Sequence, residues 1–168
     1  LAADGSRPAE EVVGGDRVVV DFDAVSNSRV VFVATTPDRP GEVWVADGDG
    51  ERRLTDVTAA FLQACPPRPV ERFTVPSPAG DGDVDAWFVA PAGWPGGDAG
   101  PGDGGGRWPL LVSIHGGPMA QYGDEWFDEF QLWASAGFAV VAGNPHGSSG
   151  REETWGRAIR SPLAAVDP

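Results

Sequence analysis

Two glycines follow directly on a short apolar run in Leu110-Leu111-Val112-Ser113-Ile114-His115-Gly116-Gly117-Pro118. Glycines at the end of a strand let backbone N–H groups turn toward a reacting oxygen, which is the chemistry of an oxyanion hole. In that reading the Gly117 N–H donates to the developing negative charge, and losing one such donor costs about 3–4 kcal/mol of transition-state stabilisation. Gly116 and Pro118 shape the turn, and His115 orients it by hydrogen bonding rather than acting as a base. The competing reading is a plain turn in which glycine only supplies the dihedrals. A second loop, Gly143-Asn144-Pro145-His146-Gly147-Ser148-Ser149-Gly150, adds Asn144 and His146 as support for the first.

Hydrolysis through a covalent intermediate also needs a nucleophile, a base and an acid. The chain has two histidines, His115 and His146, and no serine in a G-x-S-x-G elbow. Gly147-Ser148-Ser149-Gly150 comes nearest, but Arg151 stands where the closing glycine would be, so Ser148 and Ser149 read as loop caps. The chain reaches Pro168 without presenting the nucleophile that the glycine turn would serve. Asp81, Asp83 and Asp85 lack the twelve-residue calcium-loop pattern, so no metal is expected. The single cysteine, Cys65, excludes an internal disulfide and a cysteine cluster. The seven tryptophans read as core and interface aromatics rather than a cofactor cage, and no cofactor is expected.

The elements that must position these loops are legible as a change of pattern along the chain. Residues 1–16 are polar and read as a tail. Four short strands are expected at Arg17 to Phe22, Arg29 to Ala34, Glu42 to Ala46 and Glu51 to Thr55, the last two joined by the hairpin signal Asp47-Gly48-Asp49-Gly50. Four such strands make one propeller blade or a piece of any meander. A helical hint at Val57 to Gln63 stops at Pro66-Pro67. A second hairpin pairs Val70 to Val75 with Val84 to Ala90, where Val84, Ala86 and Phe88 alternate with Asp85 and Trp87. Residues 91–107 are almost wholly Pro, Gly, Asp and Ala, and predict a floppy surface loop.

Trp108 to Ile114 then reads as a strand buried on both faces. The spacing of Trp126, Phe127, Phe130, Trp133 and Ala134 predicts a helix over 125–136, with Asp124 as N-cap, Gly137 as stop, and Glu125, Asp128 and Glu129 complementing its dipole. Phe138 to Ala142 is a further strand. Strand, helix, strand is a βαβ unit with a parallel pairing, and ligands of such sheets bind beside the carboxyl ends of the strands, where both glycine-rich loops lie.

The formal charge is −13 and every basic residue is arginine. Such acidity disfavours nucleic acid as a partner. No apolar run is long enough to cross a bilayer as a helix, and no leader pattern opens the chain. A cytoplasmic location is the expectation, although Leu1 is not a start methionine.

Taken together, His115-Gly116-Gly117-Pro118, Gln121-Tyr122-Gly123, Trp126-Phe127, Ala136-Gly137-Phe138-Ala139-Val140, Asn144-Pro145 and Gly147-Ser148-Ser149-Gly150 resemble the prolyl oligopeptidase family of serine peptidases, most closely its acylaminoacyl-peptidase and dipeptidyl-peptidase-like branch. Pro40-Gly41-Glu42-Val43-Trp44-Val45 with Arg53-Leu54-Thr55 looks like the closing blade of that family's propeller. Glu71-Arg72-Phe73-Thr74-Val75 with Asp85-Ala86-Trp87-Phe88 looks like the first hairpin of its hydrolase domain.

The resemblance implies an α/β fold: the start of an α/β-hydrolase domain (a βαβ unit plus an N-terminal hairpin) preceded by one blade of a β-propeller. Residues 1–65 would end the propeller, and residues 66–168 would open the peptidase domain, short of the nucleophile. It implies an internal fragment, itself inactive, of an enzyme that cleaves short peptides through an acyl-enzyme. Of the family's site, only the oxyanion role carries over, onto Gly117. The peptide is the implied partner, and a homo-oligomer of the full-length enzyme is compatible with it. The family commonly has arginine where His146 stands, which points to a variant subfamily or altered specificity. An α/β-hydrolase esterase and a non-catalytic β-rich binding module are the alternatives. Unpaired strand edges predict that the isolated chain is marginally stable.

Overall fold

The structure, a computed structural model, describes residues 8, 11–26, 29–95, 107–117 and 119–160. Pro118 and most of the stretch expected to be a floppy loop lie outside the described residues. The chain divides into two compact units, Leu1–Pro66 with Asp124–Trp126, and Pro67–Gly123 with Phe127–Pro168.

The first unit is an antiparallel meander of β1 (Val18–Ser26), β2 (Arg29–Thr36), β3 (Arg39–Asp47) and β4 (Gly50–Arg53), paired in chain order. The hairpin signal forms the β3–β4 turn, with Gly50 at a φ of +107°. The Asp47 carboxylate holds that turn by accepting the Asp49 N–H at 3.1 Å. Phe32 and Trp44 face each other across β2 and β3 and stack at 6.4 Å, with the Arg17 guanidinium 5.5 Å from the Phe32 centroid.

Glu42 is buried at 1% exposure on β3. Its carboxylate accepts the Thr55 hydroxyl, the Val57 N–H at 3.1 Å, and the Thr58 N–H and hydroxyl at 2.9 and 2.6 Å. These bonds satisfy the free donors ahead of α1 (Ala59–Ala64). Burial alone would raise the Glu42 pKa, but the bonds from Thr55, Thr58 and Val57 outweigh it and hold the group at about 2.

The second unit is a mixed sheet in the order β5-β6-β8-β7, built from β5 (Val70–Pro76), β6 (Asp83–Val89), β7 (Leu110–Ser113) and β8 (Ala139–Gly143). β7 and β8 are parallel and flank α2 (Asp128–Ser135), which completes the expected βαβ unit; the other two pairings are antiparallel. Phe130 and Ala134 of α2 pack with Trp87, Val89, Tyr122, Val140 and Ala142 in one apolar core. Gln131 also faces inward, where its side-chain amide exchanges hydrogen bonds with the Arg68 backbone at 2.6 and 3.1 Å.

Three expectations need correction. α2 begins at Asp128 with Phe127 as N-cap and no side-chain capping bond, so Asp124 is not its cap. Asp124–Trp126 belongs instead to the first unit, where the Trp126 N–H donates to the Thr35 hydroxyl at 3.0 Å and the indole meets Phe61 edge-on. Trp87, on the central strand β6, is core at 4% exposure, in line with the reading of the tryptophans as core aromatics. β7 is not buried on both faces: Leu110 and Val112 are 62% and 60% exposed, since α2 packs on one side of this edge strand only.

The α2 stop at Gly137 has the double bond of a Schellman end. With φ at +96°, Gly137 donates to Ala134 O at 3.1 Å, and the Phe138 N–H reaches Trp133 O at 3.0 Å. A further short helix, α3 (Glu153–Arg157), runs into a 3-10 turn, Ala158–Arg160.

Candidate functional site

Because β7 and β8 are parallel neighbours, the segments that leave their carboxyl ends are neighbours too. Ile114–Gly117 follows β7, and Asn144–Gly150 follows β8. Backbone and side-chain bonds tie the two together. The Ser149 N–H donates to Ala120 O at 2.9 Å. Asn144 grips the Tyr122 backbone from both sides: its Oδ1 accepts the Tyr122 N–H at 2.8 Å and its Nδ2 donates to Tyr122 O at 2.9 Å. The Asn144 N–H in turn donates to Asp85 O at 2.9 Å, which hangs this clamp on β6.

His115 links the loops directly. Its Nδ1 lies 3.1 Å from Gly116 O and its Nε2 lies 2.8 Å from the Ser148 hydroxyl oxygen. A carbonyl can only accept, so Nδ1 carries the hydrogen and, in the neutral ring, Nε2 accepts the Ser148 O–H. This Ser–His pair lacks two features of a nucleophile with its base. Ser148 is 2% exposed, and a backbone carbonyl rather than a carboxylate orients the ring. The pair is a strut between loops.

Gly117 sits where the first loop doubles back. Its φ is +137°, and a Cβ there would lie 2.8 Å from Met119 N and 3.0 Å from Ala120 N. No side chain fits, so glycine is required by conformation and by space. Among the described residues no acceptor takes the Gly117 N–H, and the residue is exposed. An open pocket of about 310 Å³ lies between Met119, the end of the second loop at residues 147–149, and α3 at Glu153, Gly156 and Arg157.

His146 is more buried than its loop position predicts, at 5% exposure. Its ring stacks on Trp155 of α3 with centroids 3.9 Å apart, and its Nε2 donates to the Asp81 carboxylate at 2.9 Å. Burial would lift the Asp81 pKa, yet bonds from His146 and Ser77 hold the carboxyl below its usual range. Asp85 lies between Arg72 at 3.1 Å and Arg151 at 3.0 Å, which hold it low against burial in the same way. Asp81 and Asp85 therefore serve separate cations and imidazoles. Among the described residues no group of three or more His, Cys, Asp or Glu side chains is arranged to hold a metal.

Sequence reasoning singled out His115, Gly116, Gly117, Asn144 and His146, and the structure gathers all five at the ends of β7 and β8; Pro118 lies outside the described residues. It missed Tyr122, whose hydroxyl meets Ser113 Oγ at 2.8 Å and whose ring lies edge-on to His115 at 5.4 Å. It also missed Ser148 as the partner of His115, and Asp81 and Trp155 as partners of His146. Cys65 is exposed in the first unit.

No family model matches the chain. Among curated proteins, the chain is 34% identical over 143 residues to the uncharacterized peptidase YuxL of Bacillus subtilis, which covers 81% of this chain and 20% of that protein. It is 30% identical over 154 residues to dipeptidyl-peptidase 5 of Trichophyton equinum, covering 88% of this chain and 18% of that one. Among solved structures, an acylaminoacyl peptidase in complex with Z-Gly-Gly-Phe-chloromethyl ketone superposes with a TM-score of 0.75 at 30% identity, over 89% of this chain and 22% of that one. The chain thus spans about a fifth of the length of the relatives it matches. Likeness of sequence and of backbone runs along most of these 168 residues, and on that ground the chain belongs to the prolyl oligopeptidase family of serine peptidases.

Proposed function

We propose that this chain supplies the oxyanion side of a serine peptidase site, with the nucleophile, acid and base contributed by other parts of a longer protein. The exposed Gly117 N–H, left without a partner among the described residues and braced by the His115–Ser148 strut, carries this reading. A hole must be rigid before charge develops, because donors that reorganise during the reaction lose their advantage. The Asn144 clamp and the Ser149–Ala120 bond supply that rigidity.

In this reading residues 1–65 are the last blade of a β-propeller and residues 66–168 open an α/β-hydrolase domain. The substrate is a peptide, by analogy with the chloromethyl ketone peptide bound to the similar acylaminoacyl peptidase. A serine elsewhere attacks the scissile carbonyl, the carbonyl oxygen gains negative charge, and the Gly117 N–H donates to it as the tetrahedral intermediate forms. The acyl-enzyme is then hydrolysed through a second such intermediate. The 168 residues alone are inactive.

A fluorophosphonate probe tests both halves of the proposal. The intact protein takes up the label on one serine outside this chain. The isolated chain takes up none. Labelling of Ser148 or Ser149 would overturn the assignment, and an intact protein that neither labels nor cleaves peptides would favour a binding module.

A further inference from the structure

We infer that His146, held between Asp81 and Trp155, is a positioning residue for the oxyanion loop; this deepens the function proposed above and rests on it. The contacts that hold it run inward from the β5–β6 turn. That turn is closed by the Ser77 N–H on Gly82 O and the Gly80 N–H on Ser77 O, both at 2.9 Å. Its Asp81 side chain is half in solvent, at 51% exposure, while the His146 side chain it meets is at 1%. The imidazole is therefore an internal spacer with one anchored end.

Trp155 fixes the other side of that spacer. The indole stacks on the imidazole, its Nε1–H donates to Pro145 O at 3.1 Å, and its own carbonyl accepts the Gly147 N–H at 3.0 Å. Residues 145, 146 and 147 are thus each held by one tryptophan. Gly147 has φ at +95°, and a Cβ there would lie 2.5 Å from Ile159 Cδ1, so the backbone is also pressed from behind. The Arg151 guanidinium stands 4.8 Å from the Trp155 ring and bonds Asp85 at 3.0 Å, which ties the indole to β6.

Ser148 comes next in the chain and inherits this placement. Its N–H donates to Pro145 O at 3.1 Å, and its hydroxyl reaches His115 at 2.8 Å, two residues before Gly117. The path from Asp81 to Gly117 is therefore a continuous set of directed contacts. An arginine at position 146 would present a longer, solvated cation; the imidazole instead packs flat on the indole and aims a single N–H at Asp81.

The test uses the intact enzyme and the variants Asp81→Ala, Asp81→Asn and Ser148→Ala. Misplacing a catalytic group by about 1 Å costs up to about a hundredfold in rate, so D81A should lower kcat about ten- to hundredfold with KM within about threefold. D81N, whose amide oxygen still accepts from His146, should recover most of that loss. D81A in an S148A background should cost little more than S148A alone, because both act through one strut. A kcat for D81A close to wild type, or losses that multiply in the double variant, would overturn the inference. Hydrogen exchange gives a readout independent of turnover: D81A should speed exchange in residues 114–123, and unchanged exchange there overturns the inference. A wild-type protein that cleaves no peptide refutes the proposed function, while the exchange result still decides the positioning role.

Discussion

Replacing Gly117 by alanine attacks the proposed oxyanion donor through its backbone. The position has φ at +137°, which an L side chain adopts at a cost of about 1–3 kcal/mol. The added Cβ would also sit 2.8 and 3.0 Å from Met119 N and Ala120 N, so the loop must shift rather than the side chain rotate. A shift that turns the N–H away from the oxyanion costs about 2.7–4 kcal/mol of transition-state stabilisation, or about a hundred- to a thousandfold in kcat. The neighbouring Gly116→Ala is the comparison, because its Cβ meets nothing within 4 Å and its φ is not left-handed. Steady-state kinetics of the intact enzyme on a short chromogenic peptide reads both. G117A should lose kcat with KM little changed, and G116A should lose far less. Equal losses in the two variants, or a G117A loss confined to KM, would refute the backbone-donor argument.

Asn144→Ala removes both bonds to the Tyr122 backbone and leaves its N–H and C=O unpaired in a buried site, which should cost about 2–5 kcal/mol in a denaturation measurement on the intact protein. Asn144→Asp keeps the acceptor but faces the Tyr122 carbonyl with a carboxylate, and should be at least as destabilising as alanine. Glu42, held at about 2 against 4.5 when unperturbed, contributes about 3 kcal/mol that is fully present above about pH 5 and is lost as pH falls through its folded value. Amide exchange within β3 should therefore accelerate between pH 5 and 2 relative to its intrinsic rate, and Glu42→Gln should flatten that dependence. A wild-type profile as flat as that of E42Q would contradict the linkage.

Local patterns made the strands, the hairpin turns and the βαβ unit readable, because each depends on residues within one or two turns of chain. Asp47-Gly48-Asp49-Gly50 and Gly137 are cases in point: the conformations they require are nearly residue-specific. The start of α2 was not readable, since Trp126 continues the helical spacing and yet spends its N–H on Thr35, 91 residues away. The glycine turn and the Asn144 loop announced themselves by composition. Their supports did not: Ser148 is 33 residues from His115, and Asp81 is 65 from His146. Bonds of that span leave no periodic trace in the sequence and become visible only once the parallel pairing of β7 and β8 brings the two loops side by side.

The most direct measurement is a crystal structure of the intact protein carrying a peptide boronate on its active-site serine. The boronate oxygen that stands for the oxyanion should lie about 2.7–3.1 Å from the Gly117 nitrogen, with the His115–Ser148 bond intact. An oxygen held wholly by other donors, with the Gly117 N–H turned away from it, would contradict the account.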